Sequence, residues 1–163
     1  MGPRYLADLE FMDFTEEERE KFSLRPGDLL VCEGGEVGRS ALWEGEMENC
    51  FFQKAIHRLR PRNGCVLPAY MLRFMRIAVD LSLLSRFVSQ TSISHLTREK
   101  FALLPVPLPP FDEQQQIVAA LDAHDMRIHA EGEYRDKLRE MKQGLMDDLL
   151  SGKIRAVADG TGR

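Results

Sequence analysis

Two carboxylates flank a short apolar run that could place them at an active site. Asp28 precedes residues 29–32 and Glu33 follows them. Acidic residues at the ends of a buried strand can bind a divalent metal for phosphodiester cleavage, and nucleases of this kind carry a lysine two residues after the second acid. Gly35 stands at that position. A metal nuclease is therefore a disfavoured alternative. That hypothesis predicts metal-dependent cleavage of DNA by the chain alone.

The other reactive side chains match no catalytic pattern. Cys32, Cys50 and Cys65 are odd in number and lack CxxC spacing, which indicates thiols kept reduced in the cytoplasm. Their spacing with His57 fits no standard zinc site. Serine, histidine and aspartate occur, but not in a G-x-S-x-G context. We expect no cofactor and no metal, and we predict that the chain is not an enzyme and that catalysis lies on another subunit.

A glycine-rich stretch follows the apolar run, at residues 33–40. Three glycines allow positive φ and a close approach of the backbone to another surface. Hydrogen-bond donors come directly after them, so Gly34, Gly35, Gly38, Arg39 and Ser40 are candidate contacts to a phosphate group. The spacing matches neither GxGxxG nor GxxxxGK[ST]. A tight hairpin without a ligand is the alternative.

Basic side chains are concentrated in the middle of a chain whose net charge is −4. Residues 54–100 contain nine basic and two acidic side chains, whereas residues 1–53 contain five and thirteen. A basic segment within an acidic chain indicates a surface that faces phosphates, with salt-dependent binding. Alternatively, the two segments pair with each other in the fold.

Two parts of this basic segment are candidate DNA contacts. Lys54, Arg58 and Arg60 are an even number of residues apart on a predicted strand, so they should project from one face, with Arg62 just beyond. Gln53 directly precedes Lys54. A later polar loop offers short donors and acceptors suited to phosphates or base edges, namely Ser89, Gln90, Thr91, Ser92 and Ser94. Hydrated surface and a plain linker are the respective alternatives.

Local signals predict the elements that position these residues. Thr15 and Glu18 form a capping box, so residues 16–22 should be a helix. Apolar patterning predicts strands at residues 29–32, 37–43 and 51–59. A helix opening at Pro68 carries an apolar stripe, which we predict to face the core, at Tyr70, Phe74, Ile77, Leu81, Leu84 and Val88. Thr97 should cap one further turn, to Phe101.

A long helix is predicted after the proline cluster of residues 105–110, which must be extended or an edge strand. Asp112 is the expected N-cap, Leu150 the last residue and Gly152 the left-handed residue after it. At 3.5 residues per turn the apolar residues fall within about 105° of each other, which favours a left-handed coiled coil. They are Ile117, Leu121, Ile128, Tyr134, Leu138, Met141, Leu145 and Leu149. An ordinary amphipathic helix packed on its own domain is the alternative.

The resulting fold class is α+β. We predict a small β-rich domain with short helices at residues 1–110, a long coiled-coil helix at residues 111–152 and a tail at residues 153–163. No apolar run approaches the roughly 18 residues that span a bilayer, and no signal peptide pattern follows Met1. We therefore expect a cytoplasmic protein.

Several motifs together resemble the specificity subunits of type I restriction-modification systems. LRPGDLLV at residues 24–31, GEVGR at 35–39, Gln53 with Ile56 and LRP at 59–61, and ISHL at 93–96 are similar to their target-recognition domain. LPVPLPPFDEQQQI at residues 104–117 and KQGLMDDLLSGKI at 142–154 are similar to their helical spacer region.

The resemblance implies a DNA-binding, non-catalytic protein. It implies recognition of one part of a bipartite site in double-stranded DNA, antiparallel pairing of two spacer helices, and recruitment of an adenine-N6 methyltransferase subunit and a restriction (translocase) subunit. A complete subunit has two recognition domains and two spacers, so we interpret this chain as a half-length or N-terminally truncated form. We expect a homodimer through Ile117, Leu121, Ile128, Leu138, Leu145 and Leu149. A structural coiled-coil adaptor that does not contact DNA is the alternative.

Overall fold

The computed structural model of the protein describes residues 11–62, 64–88 and 95–156. It confirms the α+β fold class. The elements are α1 Glu16–Phe22, β1 Asp28–Cys32, β2 Ser40–Trp43, β3 Ile56–Leu59, α2 Pro68–Asp80, a 3-10 helix Leu83–Arg86, α3 Arg98–Phe101 and α4 Phe111–Leu150. The chain divides into two compact units, unit 1 (Met1–Val118) and unit 2 (Ala119–Arg163). Among the described residues, no helix has the length and apolar content needed to cross a membrane.

The sheet is antiparallel with β1 at its centre, in the order β2-β1-β3. Leu29 lies opposite Leu42 on β2 and opposite Leu59 on β3. Both outer strands are shorter than predicted, because the residues before β2 form the connecting loop and a turn precedes β3, where the Ile56 amide donates to Gln53 O at 3.1 Å. Lys54 lies in that turn. The prediction that Lys54, Arg58 and Arg60 share one strand face is therefore wrong.

The core of unit 1 forms where α2 packs against β1 and β2. Leu29 and Val31 of β1 meet Met75 and Ala78 of α2, and all four are at most 1% exposed. Pro68 begins α2 as predicted, where a missing N–H is tolerated. Burying these apolar side chains contributes roughly 1.5–3 kcal/mol for each large one.

The predicted core stripe after Pro68 is only partly right. Tyr70 and Leu84 are buried, but Ile77 is 53% exposed and Leu81 is 65% exposed. The helix ends at Asp80 instead of continuing to Val88, because Ser82 adopts the left-handed conformation with φ +55°. Within α2 the buried positions are Tyr70, Met75 and Ala78, which places the core-facing side of the helix away from Ile77.

Helix α1 has the predicted bounds and the predicted cap. Thr15 Oγ1 accepts from the Glu18 amide at 3.3 Å, and Glu18 Oε2 accepts from the Thr15 amide at 3.0 Å. The hydrogen bonds from the Thr15 amide and, second, from its hydroxyl lower the pKa of Glu18. Phe22 contacts Phe52 edge to face, with centroids 5.5 Å apart. These contacts attach α1 to the segment before β3.

Local capping also bounds the last two helices. Thr97 caps α3, which ends at Phe101 as predicted. The proline segment of residues 105–110 belongs to no helix or strand. Helix α4 begins one residue earlier than predicted, because Pro110 O already accepts from the Gln114 amide at 3.0 Å. Asp112 therefore lies in the first turn and is not the N-cap. The helix ends at Leu150, and Gly152 has φ +76°, both as predicted.

Candidate nucleic-acid interface

The glycine loop between β1 and β2 is closed by its own backbone. The Gly38 amide donates to Cys32 O at 3.0 Å, and the Cys32 amide donates to Arg39 O at 2.9 Å. Gly35 and Gly38 have φ +68° and +83°, a region that disfavours other residues. The backbone of this stretch therefore forms a tight hairpin, as the alternative prediction for the stretch has it.

The two glycines differ in what surrounds them. A side chain added at Gly35 would meet nothing within 4 Å, so this glycine presents open backbone. A Cβ added at Gly38 would lie 2.2 Å from Leu84 Cδ1 and 2.9 Å from Val79 Cγ2. Gly38 is buried, and its small size allows the loop to approach α2 and the 3-10 helix. Its position indicates packing and not contact with a ligand.

Three segments that are distant in sequence meet at the start of this loop. The Glu33 amide donates to Ala55 O at 3.0 Å, and Glu33 O accepts from the Leu96 amide at 2.8 Å. Gly34 forms a bridge with His95. The glycine loop therefore lies between the turn that carries Gln53 and Lys54 and the strand-like residues that follow residue 94.

His57 supports this junction from β3. Its Nε2 lies 2.6 Å from Leu96 O, and its ring contacts Phe101 with centroids 5.3 Å apart. Leu96 is fully buried. Sequence reasoning considered His57 only as a metal ligand, because a partner 39 residues away is not visible from local spacing.

The side chains around the junction are mostly exposed and polar. Gln53, Lys54 and Arg39 are exposed. Arg39 forms an ion pair with Glu36. Ser40 is half-buried and its hydroxyl donates to Gly38 O at 2.7 Å, so this group already has an internal acceptor. Exposed amide and cationic groups of this kind suit phosphate oxygens and base edges.

Arg60 and Arg58 make contacts inside unit 1. Arg60 Nε and Nη2 donate to the two carboxylate oxygens of Asp28 at 2.6 and 2.7 Å. Arg58 Nη1 donates to Ser23 O at 2.7 Å, and its guanidinium lies 5.0 Å from the Phe52 ring centroid. The hydrogen bonds that Arg60 donates to Asp28 raise the pKa of Arg60, and burial lowers the pKa of Arg58. These arrangements fit a structural role for both arginines.

Asp28 is 1% exposed and accepts three hydrogen bonds, two from Arg60 and one from the Arg25 amide at 2.8 Å. Its lone pairs are therefore directed at protein donors. Within residues 11–62, 64–88 and 95–156, no group of three or more His, Cys, Asp or Glu residues could hold a metal ion. The predicted contacts at Ser89, Gln90, Thr91, Ser92 and Ser94 lie outside the described residues.

Unit 2 carries a second candidate surface, on α4. The apolar residues that are predicted to form the pairing seam of a coiled coil are exposed beyond Val118, from 41% at Leu121 to 69% at Ile128. The others are Tyr134, Leu138, Met141, Leu145 and Leu149. Exposed apolar residues repeating along one helix are typical of a face that pairs with another helix. Ile117, at the start of the seam, is half-buried within unit 1.

Comparison with known proteins identifies the family. The sequence model of the family described as "Type I restriction modification DNA specificity domain" matches residues 6–139. The chain belongs to this family. A putative type I restriction enzyme MjaX specificity subunit from Methanocaldococcus jannaschii is 28% identical over 85% of this chain and 34% of its own length. The MjaVIII specificity subunit of the same organism is 23% identical over 93% of this chain and 34% of its own length.

Two further relatives agree with the type I specificity family. A putative specificity subunit, S.HindORF215P from Haemophilus influenzae, is 28% identical over 68% of this chain and 27% of its length. A chain from a structural study of "complex assembly and conformational transition of the type I R-M system" superposes with TM-score 0.55 at 26% identity, over 77% of this chain and 30% of that chain. This chain thus spans about a third of the length of the curated relatives. The family resemblance seen in the sequence is confirmed.

Proposed function

We propose that this specificity-family chain binds one part of a bipartite DNA sequence through unit 1 and pairs with a second copy through α4. The observation that carries the proposal is the junction at Glu33 and Gly34. It joins the glycine loop to the turn of Gln53 and Lys54 and to His95. The sequence predicts DNA contacts from the glycine loop and from Gln53 and Lys54, and the junction brings these two segments together.

The junction offers two kinds of contact. Open backbone at Gly35 allows close approach to a phosphate, while Lys54 and Arg39 supply positive charge. Gln53 has an amide that can both donate to and accept from a base edge. Phosphate contacts fix position and carry most of the salt dependence, whereas base contacts supply sequence preference. We do not include Gly38, Arg58 or Arg60 in this surface.

Helix α4 supplies the spacing element in this proposal. Its 40 residues extend about 60 Å, which equals roughly 17 or 18 base pairs of duplex. Two such helices paired side by side would hold two recognition units apart on one DNA molecule. The methyltransferase and restriction subunits of the complex would then act on the DNA, and this chain would contribute recognition without catalysis.

Fluorescence anisotropy with labelled duplex DNA tests DNA binding at several salt concentrations. We expect the logarithm of the association constant to fall linearly with the logarithm of salt concentration. Lys54→Gln should reduce that slope by about 1 if Lys54 contacts one phosphate. Lys137→Gln, on α4 in unit 2, is the matched control and should leave the slope unchanged. Affinity that does not vary with salt would contradict the proposal.

The second candidate is a coiled-coil adaptor that does not contact DNA. The exposed apolar face of α4 favours it, because that face explains pairing without any role for the junction. The two functions differ in their response to substitutions. In the adaptor, Leu138→Asp disrupts the dimer while Lys54→Gln has no effect in any DNA measurement.

A further inference from the structure

A single buried glutamine connects α4 to the rest of unit 1. Gln114 lies in the first turn of α4 and is 0% exposed. Its Oε1 accepts from the Leu67 amide at 2.9 Å. Its Nε2 donates to Cys65 O at 3.0 Å and to Pro109 O at 2.9 Å. One amide thus joins α4 to the loop before α2 and to the proline segment.

The chemistry of these partners requires an amide at this position. Leu67 offers an N–H and therefore needs an acceptor, whereas Cys65 and Pro109 offer carbonyls and need donors. Glutamine supplies both from one planar group, and both of its N–H donors are used here. Glutamate would direct a second acceptor at two carbonyl oxygens. Two more glutamines follow directly, Gln115 and Gln116, and both are exposed.

Neighbouring contacts hold the same region in place. Val118 is buried one turn further along α4. Tyr70 of α2 donates through its hydroxyl to Pro107 O at 2.7 Å, which fixes the proline segment to the helix that covers the sheet. The segment that leads into α4 is therefore held by Tyr70 and Gln114 together. A buried and fully satisfied polar group of this kind specifies one arrangement over its competitors.

We propose that Gln114 is a positioning residue that fixes the direction of the first turns of α4 in unit 1. The consequence for DNA rests on the proposed function, in which α4 sets the distance between two recognition units.

Pulsed electron–electron double resonance, which measures the distance between two nitroxide labels, tests this inference without DNA. The labels are attached to cysteines introduced at two exposed helical positions of unit 1, Arg76 of α2 and Gln116 of α4, after the three native cysteines are replaced by alanine. The labelled chain is diluted with unlabelled chain so that only distances within one chain are measured. Gln114→Glu is the test substitution, and Gln115→Glu is the same change at an exposed neighbour.

We expect one narrow distance distribution for the unsubstituted chain and for Gln115→Glu. Gln114→Glu should broaden the distribution or shift its maximum by several ångströms, while the fluorescence of buried Trp43 stays native. An unchanged narrow distribution in folded Gln114→Glu would overturn the inference. If that variant does not fold, Gln114→Met keeps the volume and removes the hydrogen bonds. Failure of both variants to fold would make Gln114 a folding requirement and would also overturn it.

This result is independent of DNA binding. A broadened distribution together with salt-independent affinity would support the role of Gln114 and contradict the proposed function. A narrow distribution in folded Gln114→Glu, together with salt-dependent affinity, would contradict the role of Gln114 and support the proposed function.

Discussion

Gly38→Ala should destabilise unit 1 by about 2–4 kcal/mol, because the substitution combines backbone strain with overpacking. At φ +83° a left-handed alanine costs roughly 1–2 kcal/mol. The new Cβ would lie 2.2 Å from Leu84 Cδ1, and Leu84 is 5% exposed and cannot move into solvent. Overpacking of this kind costs about 1–3 kcal/mol. Alanine also restricts the unfolded chain, and this offsets roughly 0.4–1 kcal/mol of the destabilisation.

Gly35→Ala is the matched control in the same loop. Its φ of +68° brings similar strain, but nothing lies within 4 Å of the new Cβ, so the expected cost is about 1 kcal/mol. Urea unfolding followed by Trp43 fluorescence reports on unit 1, because this buried tryptophan lies on β2 and the chain has one tryptophan. For a slope of about 2 kcal/mol per molar urea, we expect the midpoint to fall by about 1–2 M for Gly38→Ala and about 0.5 M for Gly35→Ala. Equal midpoints would refute the packing role of Gly38.

Three further substitutions test separate parts of the structure. Arg60→Met leaves the buried carboxylate of Asp28 without its main partner and should lower the free energy of unfolding in urea by about 3–5 kcal/mol. The same change at exposed Arg62 should alter it by no more than about 0.5 kcal/mol. Equal losses would contradict the ion-pair role of Arg60. Leu138→Asp should weaken dimerisation by roughly 100-fold or more in sedimentation velocity. Gln143→Asp, on the opposite side of α4, is the control. A dimer that Leu138→Asp leaves unchanged, or an unsubstituted chain that is already a monomer, would contradict pairing through this seam. The pKa of Glu18 is lowered in the folded state, so its stabilisation of α1 is present above the unfolded pKa and is lost as pH falls through the folded pKa. The protection of α1 amides against exchange, taken relative to the intrinsic rate at each pH, should fall over that range, and Glu18→Gln should abolish this dependence.

Features fixed by neighbouring residues were predictable from the sequence. The capping box at Thr15, the proline that begins α2, the cap at Thr97 and the end of α4 before Gly152 each depend on a few adjacent residues. Local chemistry of this kind acts over one turn of chain, so it can be recognised without knowledge of the fold.

Features fixed by distant residues were not predictable. The side of α2 that faces the core depends on the sheet beneath it, so the predicted apolar stripe was right at Tyr70 and Leu84 but wrong at Ile77 and Leu81. Arg60 appeared to be a surface cation because its partner Asp28 is 32 residues away in the sequence. Gln114 is one of three consecutive glutamines, and only the loop 47 residues earlier distinguishes it from the other two. The DNA-facing residues at the junction remain predictions.

Selection from a pool of randomised DNA duplexes by the intact chain tests most directly whether unit 1 recognises DNA sequence. We predict that repeated rounds enrich one short common sequence, and that the enrichment is lost when Gln53 and Lys54 are both replaced by alanine but is retained with Arg62→Ala. A pool that stays random after selection with the folded chain would contradict the account.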